Sequence, residues 1–163
     1  MSLLGRVSRL EVRVYAHSTE NPEKVVRAVL NVFPEDVGEV RFRRRAVSGQ
    51  YGDSITIIRA ELRGSKARRV LRYVVQGLDD ADFERLLSEV SSRVDESGNL
   101  YVRLDKQEAY LGRVRLMDAD PIRLKFSIKL NVGEDPLSVA EGLLREVREG
   151  GVVEEVRGPV RQA

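Results

Sequence analysis

Cationic and aromatic side chains recur at two-residue spacing in several stretches of this chain: Arg13 with Tyr15, Arg41 with Arg43 and Arg45, Tyr101 with Arg103, and Arg123 with Lys125, followed by Lys129. A guanidinium presents a planar fork of donors that matches phosphate oxygens, and a phenol ring gives an unpaired base a face to stack on. A spacing of two places such side chains on one face of a β-strand. The chemistry this pattern suits is the holding of nucleic acid rather than the breaking of bonds.

Residue types that could break bonds are scarce. The chain has no cysteine, which excludes disulfides, thiolate zinc sites, iron–sulfur clusters and a cysteine nucleophile, and His17 is the one histidine. At the end of a strand and without a nucleophile pattern nearby, His17 supports no catalytic triad and reads as a surface or capping group. Asp53, Asp105 and Glu108 could gather as a two-metal hydrolase cluster, although carboxylates scattered at strand ends are commonplace. The loop Gly49-Gln50-Tyr51-Gly52-Asp53 could bring backbone amides near a phosphate, but it lacks the lysine and helix start of a P-loop. These residues imply a non-enzyme that needs no cofactor and no metal.

The elements that must position the cations follow from periodicity. Leu10, Val12, Val14 and Ala16 alternate with Glu11, Arg13, Tyr15 and His17, the pattern of a half-buried strand. Asn21-Pro22 reads as a helix cap followed by proline at the first helical position, and Pro34 stops that helix. Val40 and Phe42 alternate with Arg41, Arg43 and Arg45 in a second strand. A third, near Ile55 to Leu62, is apolar enough to be central. Two helices then carry Val70, Leu71, Val74 and Val75, and Phe83, Leu86, Leu87 and Val90. Strands starting at Leu100 and spanning Tyr110 to Met117 flank a hairpin tip at Lys106-Gln107-Glu108-Ala109. Ile122 to Leu130 alternates strictly with Arg123, Lys125, Ser127 and Lys129. Asp135-Pro136 opens the last helix.

The order βαββααβββα, with alternating rather than continuous apolar strands, implies an α+β two-layer sandwich: a mostly antiparallel sheet of about six strands with helices on one face. With 163 residues and 42% hydrophobic content, one core is expected. Residues 1–148 read as a single domain and 149–163 as a loose tail rich in glycine. Arg6 interrupts the start of the chain where a signal peptide needs apolar residues, and no run of about eighteen uncharged apolar residues occurs. The expected location is therefore the cytoplasm, with no membrane contact.

Net charge is only +2, so distribution must decide the partner. Two readings compete. In one, the arginines pair with Glu11, Asp105 and neighbouring carboxylates as a solvated ionic lattice of the kind favoured in hyperthermophile proteins. In the other they form an uncompensated basic plate, because acids crowd elsewhere, at Asp79, Asp80, Asp82, Glu84 and Glu89.

Tyr51-Gly52-Asp53-Ser54-Ile55 and Leu104-Asp105-Lys106-Gln107-Glu108-Ala109-Tyr110-Leu111-Gly112 resemble an archaeal family described as predicted exosome subunits or RNA-binding proteins. The opening Ala16 to Glu20 with Pro22 to Val25, and Asp95 to Tyr101, share in it, and the similarity spans roughly Leu10 to Val147. The resemblance implies RNA as ligand and a fold similar to the ribosomal protein that binds 5S RNA. It also sets Lys106, Gln107 and Tyr110 on a hairpin tip beside Gln50 and Tyr51. The expected RNA-binding set is Arg13, Tyr15, Arg41, Arg43, Arg45, Tyr51, Tyr101, Arg103, Lys106, Gln107, Arg123, Lys125 and Lys129. The expected role is accessory to RNA processing or degradation, with an exosome- or ribosome-related complex as partner. The alternatives are a protein-interaction adaptor that uses the open face and a metal-dependent nuclease built on the three carboxylates. An exposed sheet edge also allows a weak homodimer.

Overall fold

A computed structural model describes residues 2–49 and 53–157, with side chains to residue 150. After a 3₁₀ turn at Leu4–Arg6, the elements in chain order are β1 (Val7–Ala16), α1 (Pro22–Asn31), β2 (Arg43–Ser48), β3 (Ser54–Arg63), α2 (Ser65–Gly77) and α3 (Asp80–Ser88). They continue as α4 (Val90–Arg93), β4 (Asn99–Leu104), α5 (Lys106–Tyr110), β5 (Ile122–Ile128) and α6 (Pro136–Arg157). The five strands form one sheet in the order β2-β3-β1-β5-β4, antiparallel at every step. The result is the expected α+β two-layer architecture.

The alternation seen in the sequence decides which side is covered. Leu10, Val12, Val14 and Ala16 of β1, Ile58, Ala60 and Leu62 of β3, Leu100, Val102 and Leu104 of β4, and Ile122, Leu124 and Phe126 of β5 are buried in one core. The helices contribute Val25, Val29, Val70, Leu71, Val74, Leu143 and Leu144 to the same core. Each large aliphatic side chain taken out of water there stabilises the fold by about 1.5–3 kcal/mol, so a sheet with one apolar face must carry helices on that face. The other face is left open.

Local devices set the element boundaries. The Asn21 side chain accepts a hydrogen bond from the Glu23 amide at 2.8 Å, and Pro22 opens α1. Gly98 turns the chain into β4 with φ of +88°, and a Cβ there would meet the Ile128 carbonyl oxygen at 2.6 Å. Arg43, Arg44 and Arg45 occupy the edge strand β2, where like charge opposes pairing with the same edge of a second copy.

Two expectations are corrected. The sheet has five strands, because Lys106-Gln107-Glu108-Ala109 is not a hairpin tip but the helix α5. Asp105 accepts hydrogen bonds from the amides of Gln107 and Glu108, at 2.8 and 3.0 Å, and its cap closes that helical turn. Gly112, with φ of +86°, then redirects the chain, and the segment read as a strand from Tyr110 makes a single β-bridge, Leu104 to Leu116. Strand β2 lies three residues later than Val40–Arg45, so Arg41 precedes the sheet. The backbone of α6 is helical to Arg157.

Candidate nucleic-acid interface

The register of the sheet brings arginines from all five strands into one line. On the open face Arg43 lies opposite Arg59, Arg59 opposite Arg13, Arg13 opposite Arg123, and Arg123 opposite Arg103. Four inter-strand steps of about 4.8 Å make this row roughly 19 Å long. All five side chains are exposed. Among the described residues none of the five forms an ion pair or a side-chain hydrogen bond; Arg123 instead lies over the Tyr15 ring, 5.8 Å from its centroid. Like charges directly opposite one another on a sheet are destabilising, so the row is held against its own repulsion.

The rest of the open face is different. In the next row Glu61 lies opposite Glu11 and Glu11 opposite Lys125. Lys125 Nζ is 3.4 Å from Glu11, Arg9 reaches both Glu11 and Glu61 at 3.3 and 3.6 Å, and Arg63 bonds Glu61 at 2.7 Å. One end of the face is thus an ionic lattice, and the arginine row beside it has no acid of its own among the described residues. Both readings of the cations hold, each for its own part of the surface.

Of the other expected site residues, Arg45 lies on the same face as Arg43, opposite Ile57. Tyr101 lies opposite Lys125, with its hydroxyl 3.3 Å from Asp95 Oδ2. Arg41 and Lys129 are exposed just outside β2 and β5. Tyr51, with Gln50, lies outside the described residues. Gln107 is exposed on α5. Arg44 points the other way and holds Glu23 of α1 in a two-pronged pair at 2.6 and 2.9 Å. That pairing draws the Glu23 carboxyl below its ordinary range.

Lys106 departs most from expectation. It is 8% exposed, and its ammonium donates to the Tyr15 carbonyl oxygen at 2.8 Å and to Glu20 at 3.0 and 3.1 Å, with Asp120 at 2.9 Å. A buried cation whose donors are all taken inside the protein is not a ligand contact. Asp120 also meets His17 Nε2 at 3.0 Å. Burial pushes the Asp120 carboxyl up, but hydrogen bonds from Lys106 and His17 outweigh it and hold the group below the usual carboxylate range. His17, Glu20 and Asp120 offer ligand atoms within 4.8 Å of one another. The Lys106 ammonium already supplies the positive charge such a group would take from an ion. As for the proposed hydrolase carboxylates, Asp105 is spent on its cap and Glu108 on Arg113 at 2.9 Å.

The sequence reading missed Arg59, the second member of the row. Its signal was present: Arg59, Glu61 and Arg63 alternate with Ile58, Ala60 and Leu62. The isoleucine-rich stretch Ile55 to Ile58 masked it.

A single antiparallel sheet with helices on one side and a continuous arginine row on the other defines an open-faced α+β protein with a cationic surface. The chain belongs to the family described as RNA binding, whose profile matches residues 9–129. It is 32% identical over 143 residues to the RNA-binding protein PAB1135 of Pyrococcus abyssi, covering 86% of this chain and 90% of that one. It is 31% identical over 129 residues to the uncharacterized protein MJ0213 of Methanocaldococcus jannaschii, covering 76% and 86%. The structure of Mth689, a DUF54 protein from Methanothermobacter thermautotrophicus, superposes with a TM-score of 0.69 at 28% identity, covering 88% of this chain and 98% of that one.

Proposed function

We propose that this protein binds RNA on its open sheet face, with Arg43, Arg59, Arg13, Arg123 and Arg103 holding successive phosphates and Tyr15 meeting a base. The observation that carries the reading is the five-strand arginine row without a carboxylate partner. A fold gains nothing from aligning repelling cations unless an anion uses them, and RNA supplies a line of anions on that scale. Family membership supports the same ligand. Arg45, Arg41, Lys129, Tyr101 and Gln107 are proposed as flanking contacts, whereas Lys125 is secondary because Glu11 already pairs with it.

The role we infer is non-catalytic and cytoplasmic: an accessory factor that holds RNA for a processing or degradation complex of the exosome type, as the motif resemblance implies. A fold like that of the ribosomal protein that binds 5S RNA, implied by the same motif resemblance, belongs to this reading. Fluorescence polarisation with a labelled single-stranded RNA at low salt tests the binding. Arg13→Glu with Arg123→Glu is expected to weaken affinity at least a hundredfold, while Arg63→Glu, outside the row, changes it little. Equal loss in both, or no binding by the wild type, overturns the reading. Co-purification with a processing complex that disappears after nuclease treatment would place RNA between the two.

A further inference from the structure

A second surface lies on the helical side, where α1 meets α5. Glu20, Lys24, Lys106, Gln107, Tyr110 and Leu111 are among the residues that line a groove of about 480 Å³ there, and an adjoining hollow shares Lys24 and Tyr110 and adds Glu23, Arg27 and Asn31. That volume lies in the range of small-ligand sites, roughly 300–1,000 Å³. Asn31 fixes the groove's shape by donating to the carbonyl oxygens of Ala109 and Tyr110 at 3.0 and 3.1 Å.

The charges of its walls are unequal. Glu20 is taken by Lys106 and Glu23 by Arg44. Lys24 and Arg27, one turn apart on α1, have no partner among the described residues. The groove therefore presents two unpaired cations and no unpaired carboxylate. Beside them Tyr110 is 42% and Leu111 61% exposed, an apolar surface the fold leaves open. Gln107 adds an amide that both donates and accepts.

An anion, a stacking face and an edge-reading amide at one place describe a nucleotide. We propose that this groove takes one unpaired nucleotide of the bound RNA, with its phosphate at Lys24 and Arg27 and its base against Tyr110 and Leu111, read by Gln107. The proposal rests on RNA being the ligand and adds a base-holding site on the layer opposite the open face. Stacking tolerates any base, whereas the Gln107 amide gives preference by hydrogen bonding.

The test uses the full chain and labelled twelve-nucleotide oligouridylate and oligoadenylate, read by polarisation. Tyr110→Ala is expected to weaken binding about tenfold with little change in salt dependence, and Tyr110→Phe to stay within twofold of wild type. Lys24→Ala with Arg27→Ala is expected to flatten the salt slope by about 0.7, one phosphate contact's worth. Leu111→Ala is the second variant if Tyr110→Ala does not fold, and is expected to weaken binding severalfold. If these variants bind like wild type while Arg13→Glu loses affinity, the groove proposal is overturned and the open-face reading stands. If the groove variants lose affinity and Arg13→Glu does not, the groove stands and the open face falls. A nuclease-resistant protein partner lost on Tyr110→Ala, with RNA affinity unchanged, also overturns it.

Discussion

Arg13 sits at the centre of the arginine row, opposite Arg59 on one side and Arg123 on the other. Replacing it with threonine keeps a side chain suited to a pleated surface and removes both like-charge contacts. Each such cross-strand repulsion costs about 0.2–1 kcal/mol, so Arg13→Thr should stabilise the domain by about 1 kcal/mol and raise Tm by about 2–4 °C for a chain of this size. The same change removes one phosphate contact, which at 0.1 M salt should weaken RNA binding about fivefold. Opposite signs in the two measurements are the mark of a site retained for a ligand at the expense of stability. Circular-dichroism melting at low salt and polarisation with single-stranded RNA give the two values. Reduced stability with unchanged RNA affinity would refute the reasoning, because it would make Arg13 a structural member of the sheet.

Lys106→Met should destabilise by about 1–3 kcal/mol in urea unfolding, since Glu20 and Asp120 would face each other without the cation between them; the figure is reduced from that of a fully buried pair because both acids are partly exposed. In the wild type, Asp120 and Asp95 are both held low. For Asp95, burial acts upward, and hydrogen bonds from Asn99, Ser97 and Tyr101 outweigh it. Their stabilisation is complete above the unfolded value of about 3.9 and lost as pH falls through the lower folded values, so Tm should drop below pH 4 and a flat profile there would contradict this. Gly98→Ala should cost about 1–3 kcal/mol by forcing a Cβ into a left-handed turn against the Ile128 carbonyl, read by the urea midpoint.

Much of the fold was legible because half-buried strands write their burial into alternate residues: β1, β3 and β5 run close to their expected bounds. Alternation also assigned Arg13, Arg43, Arg103 and Arg123 to the open face. It could not align them, because register depends on pairing between strands distant in the chain. Arg59 was hidden by the isoleucines before it. Lys106 was misplaced for a tertiary reason: its acids, Glu20 and Asp120, come from distant segments. Asp105 with Glu108 three residues on is a helix-start signature, and it was the local signal against a hairpin there. Lys125 looked like its neighbours, and only the register opposite Glu11 separates it from the row.

The central claim is that the arginine row meets phosphates, and the slope of log affinity against log salt measures it most directly. Five contacts to a single strand predict a slope of at least 3.5 in magnitude, with the flanking and groove cations adding to it, so affinity for a labelled RNA should fall at least about 130-fold between 50 and 200 mM salt. A slope near zero, or no detectable binding at 50 mM, would contradict the account.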